Sequence, residues 1–184
     1  YTISALTELY KLTVEDIERI TTLSAKNLFG IAQSDTNPEI AYVIRNSLYL
    51  NITSRCPNKC VFCSRETAPY VKGHYLGTDS EPTVEELKDA IGDPSGYDEV
   101  VFCGFGESTE RLDVLKEIAG YLKEKGSKVR LDTNGLGDLI NGRSISEELK
   151  GLVDTICISL NTNIEEEYQK LCHSEYDDQA YPAL

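Results

Sequence analysis

Along the 184-residue chain the spacing of apolar positions changes character near residue 40. Before it, Val14, Ile17 and Ile20 recur at helical spacing behind Thr13, and Leu28 and Phe29 follow Ser24 and precede Gly30. Residues 1–31 therefore read as helices with one buried face, one capped by Thr13 and a short one capped by Ser24. The stretch 33–38 is polar and ends in Pro38, which predicts a linker over 32–40. Beyond it strands and helices alternate. Leu48, Leu50 and Ile52 alternate as a first strand, 98–103 is a second, 129–132 a third and 155–160 a fourth. Between them, Thr83 and Glu86 form a capping box for a helix through Leu87 and Ile91, and Leu112, Leu115, Ile118 and Leu122 line one helix face ending near Gly126. Ser144 and Glu147 predict a second capping box, and 164–171 reads as a last helix.

Strands alternating with helices of this length predict an α/β fold with right-handed crossovers and parallel strands, a partial (β/α) barrel preceded by a short helical segment. Ligands of such folds gather at the carboxyl ends of the strands, where every unusual motif of this chain falls. Four strands are too few to close an eight-stranded barrel. The domain over 41–184 is thus expected to be C-terminally incomplete, with an unpaired, aggregation-prone sheet edge. The chain contains no Met, even at position 1, so it is treated as a piece of a longer product.

Composition narrows the function classes. A net charge of -13 argues against a surface built for the nucleic-acid backbone. No run approaches the roughly 18 apolar residues of a membrane span, and no signal-peptide pattern opens the chain, which predicts a cytoplasmic protein without membrane partners. In that compartment six cysteines, three of them within eight residues, point to metal or redox chemistry rather than disulfides.

Those three are Cys56, Cys60 and Cys63, spaced C-x3-C-x2-C on a loop directly after the first predicted strand. Three thiolates so placed can converge on one metal centre, and thiolate is the usual ligand of iron-sulfur clusters. A cubane held through three irons leaves the fourth open to a cofactor or substrate. The competing reading is a structural zinc module acting as an interaction scaffold, completed by His74 or a more distant cysteine. Cys103 and Cys157, inside apolar strands, read as buried unreactive thiols. Cys172 beside His173 is not read as a metal pair, because neighbours on a helix point apart. The run 165–167, all Glu, suits a solvated helix start.

The cysteine spacing, with Phe62 before the last cysteine, strongly resembles the radical S-adenosylmethionine (SAM) superfamily. The resemblance implies a [4Fe-4S] cluster on Cys56, Cys60 and Cys63, and SAM chelated at the open iron. It further implies reductive cleavage of SAM to a 5'-deoxyadenosyl radical that abstracts hydrogen from a substrate the sequence does not name. An electron donor such as a flavodoxin or ferredoxin is implied as well. By the same resemblance Phe62 flanks the adenine. Gly104, Phe105, Gly106 and Glu107 stand where the family has a Gly-Gly-Glu motif, with Phe105 replacing the second glycine. Glycine there permits close backbone approach. Asn134, after the third strand, and Ser159 and Asn161, after the fourth, offer polar groups to the SAM ribose or carboxylate. Arg65, Lys72, His74 and Tyr75 follow the cysteines as loop residues, read as solvated and in reach of a substrate.

The segment 1–31 resembles the last helices of TatD-family metal-dependent deoxyribonucleases, whose metal-binding residues lie upstream of the matching region. Together the two resemblances match TatD-linked radical SAM proteins and imply a TatD-type hydrolase fused or associated upstream. The alternatives are a helical cap on the barrel domain, or a fragment of a nuclease fusion.

Overall fold

The computed structural model describes residues 2–31, 37–66, 68–77 and 80–184, so most of the expected linker, residues 32–36, lies outside the described residues. Two helices come first, α1 (Thr2–Tyr10) and α2 (Val14–Phe29). Thr13 caps α2 in a capping box with Asp16, and Gly30 ends it in the left-handed conformation at φ 63°. The separate helix expected behind Ser24 does not form. No helix breaker stands between Ile20 and Gly30, and the Ser24 hydroxyl turns back onto the Ile20 carbonyl at 2.9 Å, a bond a helix interior tolerates.

Next come β1 (Ala41–Ile44) and β2 (Ser47–Leu50), an antiparallel hairpin, then a small second hairpin, β3 (Tyr70–Val71) with β4 (His74–Tyr75). The remaining elements are α3 (Val84–Ile91), β5 (Glu99–Phe102), α4 (Leu112–Glu124), β6 (Val129–Thr133), α5 (Gly137–Asn141), α6 (Ser146–Leu149), β7 (Thr155–Ile158) and α7 (Glu165–Cys172). The main sheet has the order β1-β2-β5-β6-β7, and β2, β5, β6 and β7 run parallel. Each parallel strand is added beside its predecessor after a helical crossover, the arrangement of a partial (β/α) barrel. β1 is an antiparallel addition at one edge. The first predicted strand pairs only through Leu50, and Ile52 continues beyond the ladder.

Strand alternation decides which residues meet the helices. Leu48, Leu50, Val100, Phe102, Val129 and Leu131 are buried with Leu87 and Ile91 of α3 and with Leu112, Leu115, Ile118 and Leu122 of α4. Each such side chain contributes roughly 1.5–3 kcal/mol by leaving water, so α4 is a principal anchor of the sheet. Arg130 and Asp132 take the alternate positions on β6. Arg130 reaches Glu99 at 3.5 Å, Asp132 at 3.2 Å and the Tyr49 hydroxyl at 3.2 Å. The predicted Ser144 capping box is absent: Ser144 faces Ser146, while Asp138 accepts the Ile145 N–H at 2.9 Å. Its expected partner, Glu147, instead meets Lys150 at 3.3 Å.

The two sheet edges differ. On the β1 side, Asp16 of α2 is buried and accepts the Arg45 N–H at 2.9 Å, while Arg19 bonds the carbonyls of Lys72 at 3.0 Å and Val43 at 3.3 Å. Burial alone would raise the Asp16 pKa, but hydrogen bonds from Arg45, Thr13 and Arg19, with the Arg19 charge, hold it below the ordinary aspartate value. On the other side all four residues of β7 are exposed. Cys157 is therefore exposed rather than buried, correcting the sequence expectation, because among the described residues no strand pairs beyond β7.

Candidate functional site

Because β2, β5, β6 and β7 are parallel, their carboxyl ends share one rim, and the segments leaving them meet there. The chain after β5 is packed tightly against the chain after β2. A Cβ on Gly104 would collide with Asn51, and one on Gly106 would collide with the Thr53 carbonyl. Asn51 accepts the Phe105 N–H at 3.2 Å through its side chain, and the Arg55 carbonyl accepts the Glu107 N–H at 2.8 Å. Glycine is thus required at both positions, by the Asn51 side chain at Gly104 and by backbone carbonyls at Gly106. Phe105 is buried with Tyr42 and Leu76 beneath the rim.

Glu107 ties three strand ends together. Its Oε1 accepts from the Thr109 N–H (3.1 Å), the Thr109 hydroxyl (2.8 Å) and the Thr133 hydroxyl (2.9 Å), and its Oε2 from the Asn134 N–H (2.7 Å). Asn134 is itself oriented. Its Oδ1 accepts the Leu136 N–H at 2.9 Å, which turns its amide nitrogen toward the Cys56 sulfur at 3.8 Å.

The cysteine loop runs from this rim. Its backbone is stitched to the end of α7: the Lys59 N–H donates to the Cys172 carbonyl at 2.9 Å, the Val61 N–H to the Leu171 carbonyl at 2.9 Å, and the Glu175 N–H to the Pro57 carbonyl at 2.9 Å. Buried Asn58 donates to the Tyr168 hydroxyl at 3.2 Å. Cys63 closes a turn by donating its N–H to the Cys60 carbonyl at 3.0 Å. All three loop cysteines are half-buried, whereas Val61 and Phe62 between the last two are exposed.

Cys60 packs against the cluster formed by Leu136, Tyr168, Cys172 and Ala180. Burial first, then the Cys172 thiol, then the nearby Cys56 and Cys63 push the Cys60 pKa up to about 12. Burial likewise raises Cys56, opposed by the Asn58 N–H, the Arg65 charge and the Asn134 amide. Both thiols are therefore protonated near neutral pH, and metal ligation must displace their protons. Among the described residues no three His, Cys, Asp or Glu side chains stand as a ready metal-holding group. The donor set still fits an iron-sulfur cluster: three soft thiols on one short loop, half-buried, with an amide directed at one sulfur.

The other predicted site residues are placed as follows. Ser159 donates its N–H to the Thr133 carbonyl at 2.9 Å, at the end of the sheet. Asn161 adopts φ 64° and directs its amide to the Cys172 sulfur at 3.4 Å. Arg65 bonds the Ser54 carbonyl at 2.8 Å, so it braces the loop. His74, expected in a solvated loop, is buried, with Nδ1 2.8 Å from Glu39 and Nε2 2.9 Å from the Val43 carbonyl. With both ring nitrogens engaged it supplies no ligand to the cysteines. The residues that sequence reasoning missed are Tyr168 and Cys172. The signal was the stripe Ile164, Tyr168, Leu171, Cys172, at helical spacing along α7.

Residues 50–182 match the model of the radical SAM superfamily, and the chain belongs to that superfamily. It is 36% identical over 102 residues to Fe-coproporphyrin III synthase of Methanosarcina barkeri, covering 54% of this chain and 23% of that protein. It is also 36% identical over 106 residues to a Methanocaldococcus jannaschii protein provisionally named as a glycyl-radical enzyme activating enzyme, covering 57% of this chain and 39% of the relative. An uncharacterized protein of the latter organism is 27% identical over 128 residues, or 69% of this chain and 38% of its own length. The matched part thus spans well under half of each of these relatives. Among the described residues no helix is long and apolar enough to cross a membrane.

Proposed function

We propose that Cys56, Cys60 and Cys63 hold a [4Fe-4S] cluster and that the protein is a radical SAM enzyme. The observation that carries this reading is the C-x3-C-x2-C loop at the carboxyl end of β2, alongside the Glu107 and Asn134 rim, in a parallel sheet. The three thiolates would hold the cluster, which would supply, with an external electron, the one-electron reductive cleavage of SAM that initiates hydrogen abstraction from a substrate.

The chain's own residues serve that chemistry in distinct ways. The three thiols lose protons to become ligands. Gly104 and Gly106 let the β5 rim lie against the loop, and Glu107 and Asn134 fix its height above β6. Exposed Phe62 is available to flank an adenine, and Phe105, Ser159 and Asn161 complete the proposed SAM neighbourhood, Phe105 from below by packing. A flavodoxin or ferredoxin is the proposed electron donor, in the cytoplasm. The segment 1–31 is proposed to join this domain to a TatD-type hydrolase, a reading supported by its sequence resemblance alone. The zinc reading loses His74 as a ligand, since both its ring nitrogens are engaged.

Anaerobic reconstitution with iron and sulfide tests the proposal. The expected product is a brown protein with a cubane signal after reduction, which cleaves SAM to 5'-deoxyadenosine. Cys60→Ala is expected to lose the cluster entirely. A colourless protein with stoichiometric zinc and no cubane signal would overturn the assignment.

A further inference from the structure

The Cys60 thiol has a second partner that the cluster reading does not use. Cys172 ends α7, is fully buried, and lies against Cys60 in the same packed group. The contact is fixed by the backbone on both sides: Lys59 and Val61, the immediate neighbours of Cys60, donate to the carbonyls of Cys172 and Leu171, each at 2.9 Å. Asn58 and Tyr168 pin the same two segments from within. These backbone bonds bring the Cys60 segment and the Cys172 segment side by side, the neighbourhood that a disulfide between them requires. Cys56 and Cys63 make no such contact with Cys172 among the interactions described.

We infer that Cys60 and Cys172 form a regulatory disulfide in the cluster-free protein, which withdraws one of the three cluster ligands until it is reduced. The inference rests on Cys60 being a ligand, as proposed above. In the step, the two S–H bonds break, one S–S bond forms, and two protons and two electrons leave. A disulfide oxidant such as oxidised glutathione accepts them and becomes two thiols. Half-buried Cys60, the accessible member, first gives up its proton to solvent; its thiolate attacks the oxidant, releasing one glutathione thiol, and Cys172 then resolves the mixed disulfide from beneath with release of the second. Reduction by a dithiol reverses the step and returns Cys60 to the loop. The segment after β7 thereby reports the redox state of its surroundings to the cluster loop.

The test uses the whole chain, stripped of iron by anaerobic chelation and exposed to oxidised glutathione. Alkylation is expected to count four free thiols in place of six. Peptide mapping without reductant is expected to give the Cys60–Cys172 linkage about tenfold over any other pairing, as expected for two groups held in contact. A linkage of Cys60 to Cys56 or Cys63, or a Cys172 that stays alkylatable, would overturn the inference, and this measurement needs no variant. Loading then ties the linkage to the cluster. Oxidised wild type is expected to take up iron and sulfide poorly until a dithiol is added, while Cys172→Ala loads equally before and after oxidant. A Cys172→Ala protein that cannot load when reduced would make Cys172 a ligand and overturn the inference. A reduced wild type that never loads would instead defeat the cluster assignment, with the linkage still decided by mapping.

Discussion

At the end of β5, Glu107 gives its carboxylate to four donors of its own chain, whereas on the adjoining loop the Cys60 side chain packs against Leu136, Tyr168, Cys172 and Ala180. The first half of the rim is fixed by charge-assisted bonds and by glycines pressed against carbonyls. The second is fixed through its backbone, which α7 holds, while its reactive side chains are not committed. Under the proposed function the difference separates two tasks. A binding frame must be in place before a ligand arrives, but soft ligands must be able to change partner when metal enters.

The contrast can be broken most forcefully at Gly106. Gly106→Ala drives a methyl group into the Thr53 carbonyl, and chemical denaturation is expected to show a loss of about 3 kcal/mol, the upper end of overpacking costs. A loss below about 1 kcal/mol would mean that this half yields as readily as the other. Next is Glu107→Ala, which strands buried donors on Thr109, Thr133 and Asn134; a loss of about 2 kcal/mol is expected in the same assay.

A smaller effect is expected from acid at Glu81, which bonds the Thr53 hydroxyl and, at 2.7 Å, Arg55 on the segment leading to Cys56. Burial would raise its pKa, but those bonds and the charges of Arg55 and Arg111 hold it below the ordinary glutamate value. The stabilisation is therefore present above the unfolded pKa of about 4.3 and is lost as pH falls through the lower folded value. The carboxylate is partly exposed, so the contribution is expected to stay under about 1 kcal/mol. Stability measured across that window should fall less in Glu81→Gln than in wild type. Smallest is Phe62→Ala, whose stability should stay within about 0.5 kcal/mol of wild type because the ring is exposed. Its affinity for SAM is expected to weaken, which separates the proposed adenine contact from any part in the fold.

The frame was largely legible in the sequence. Thr13 and Thr83 cap helices as their spacing predicts, and the cysteine and glycine motifs fall at strand ends. What was hidden depends on distant partners. β1 escaped notice because its two-residue turn places Arg45, not Gly or Asn, at φ 57°, and that conformation is supported by Asp16 from α2. The Ser144 box failed because the helix starts one residue later than expected, at Ser146 behind Ile145, whose N–H Asp138 accepts. Cys172 looked isolated because nothing local to residue 172 reveals the cysteine loop, whose Asn58 meets Tyr168 across 110 residues of chain.

That long separation also sets an order of events during synthesis. At roughly 5–20 residues per second, the stretch between Asn58 and Tyr168 takes about 5–20 s to emerge. Throughout that interval the three cysteines are already outside the ribosome, without the α7 backbone that later holds their loop. Iron offered during that interval would meet a loop that its bonds to Leu171, Cys172 and Glu175 do not yet hold.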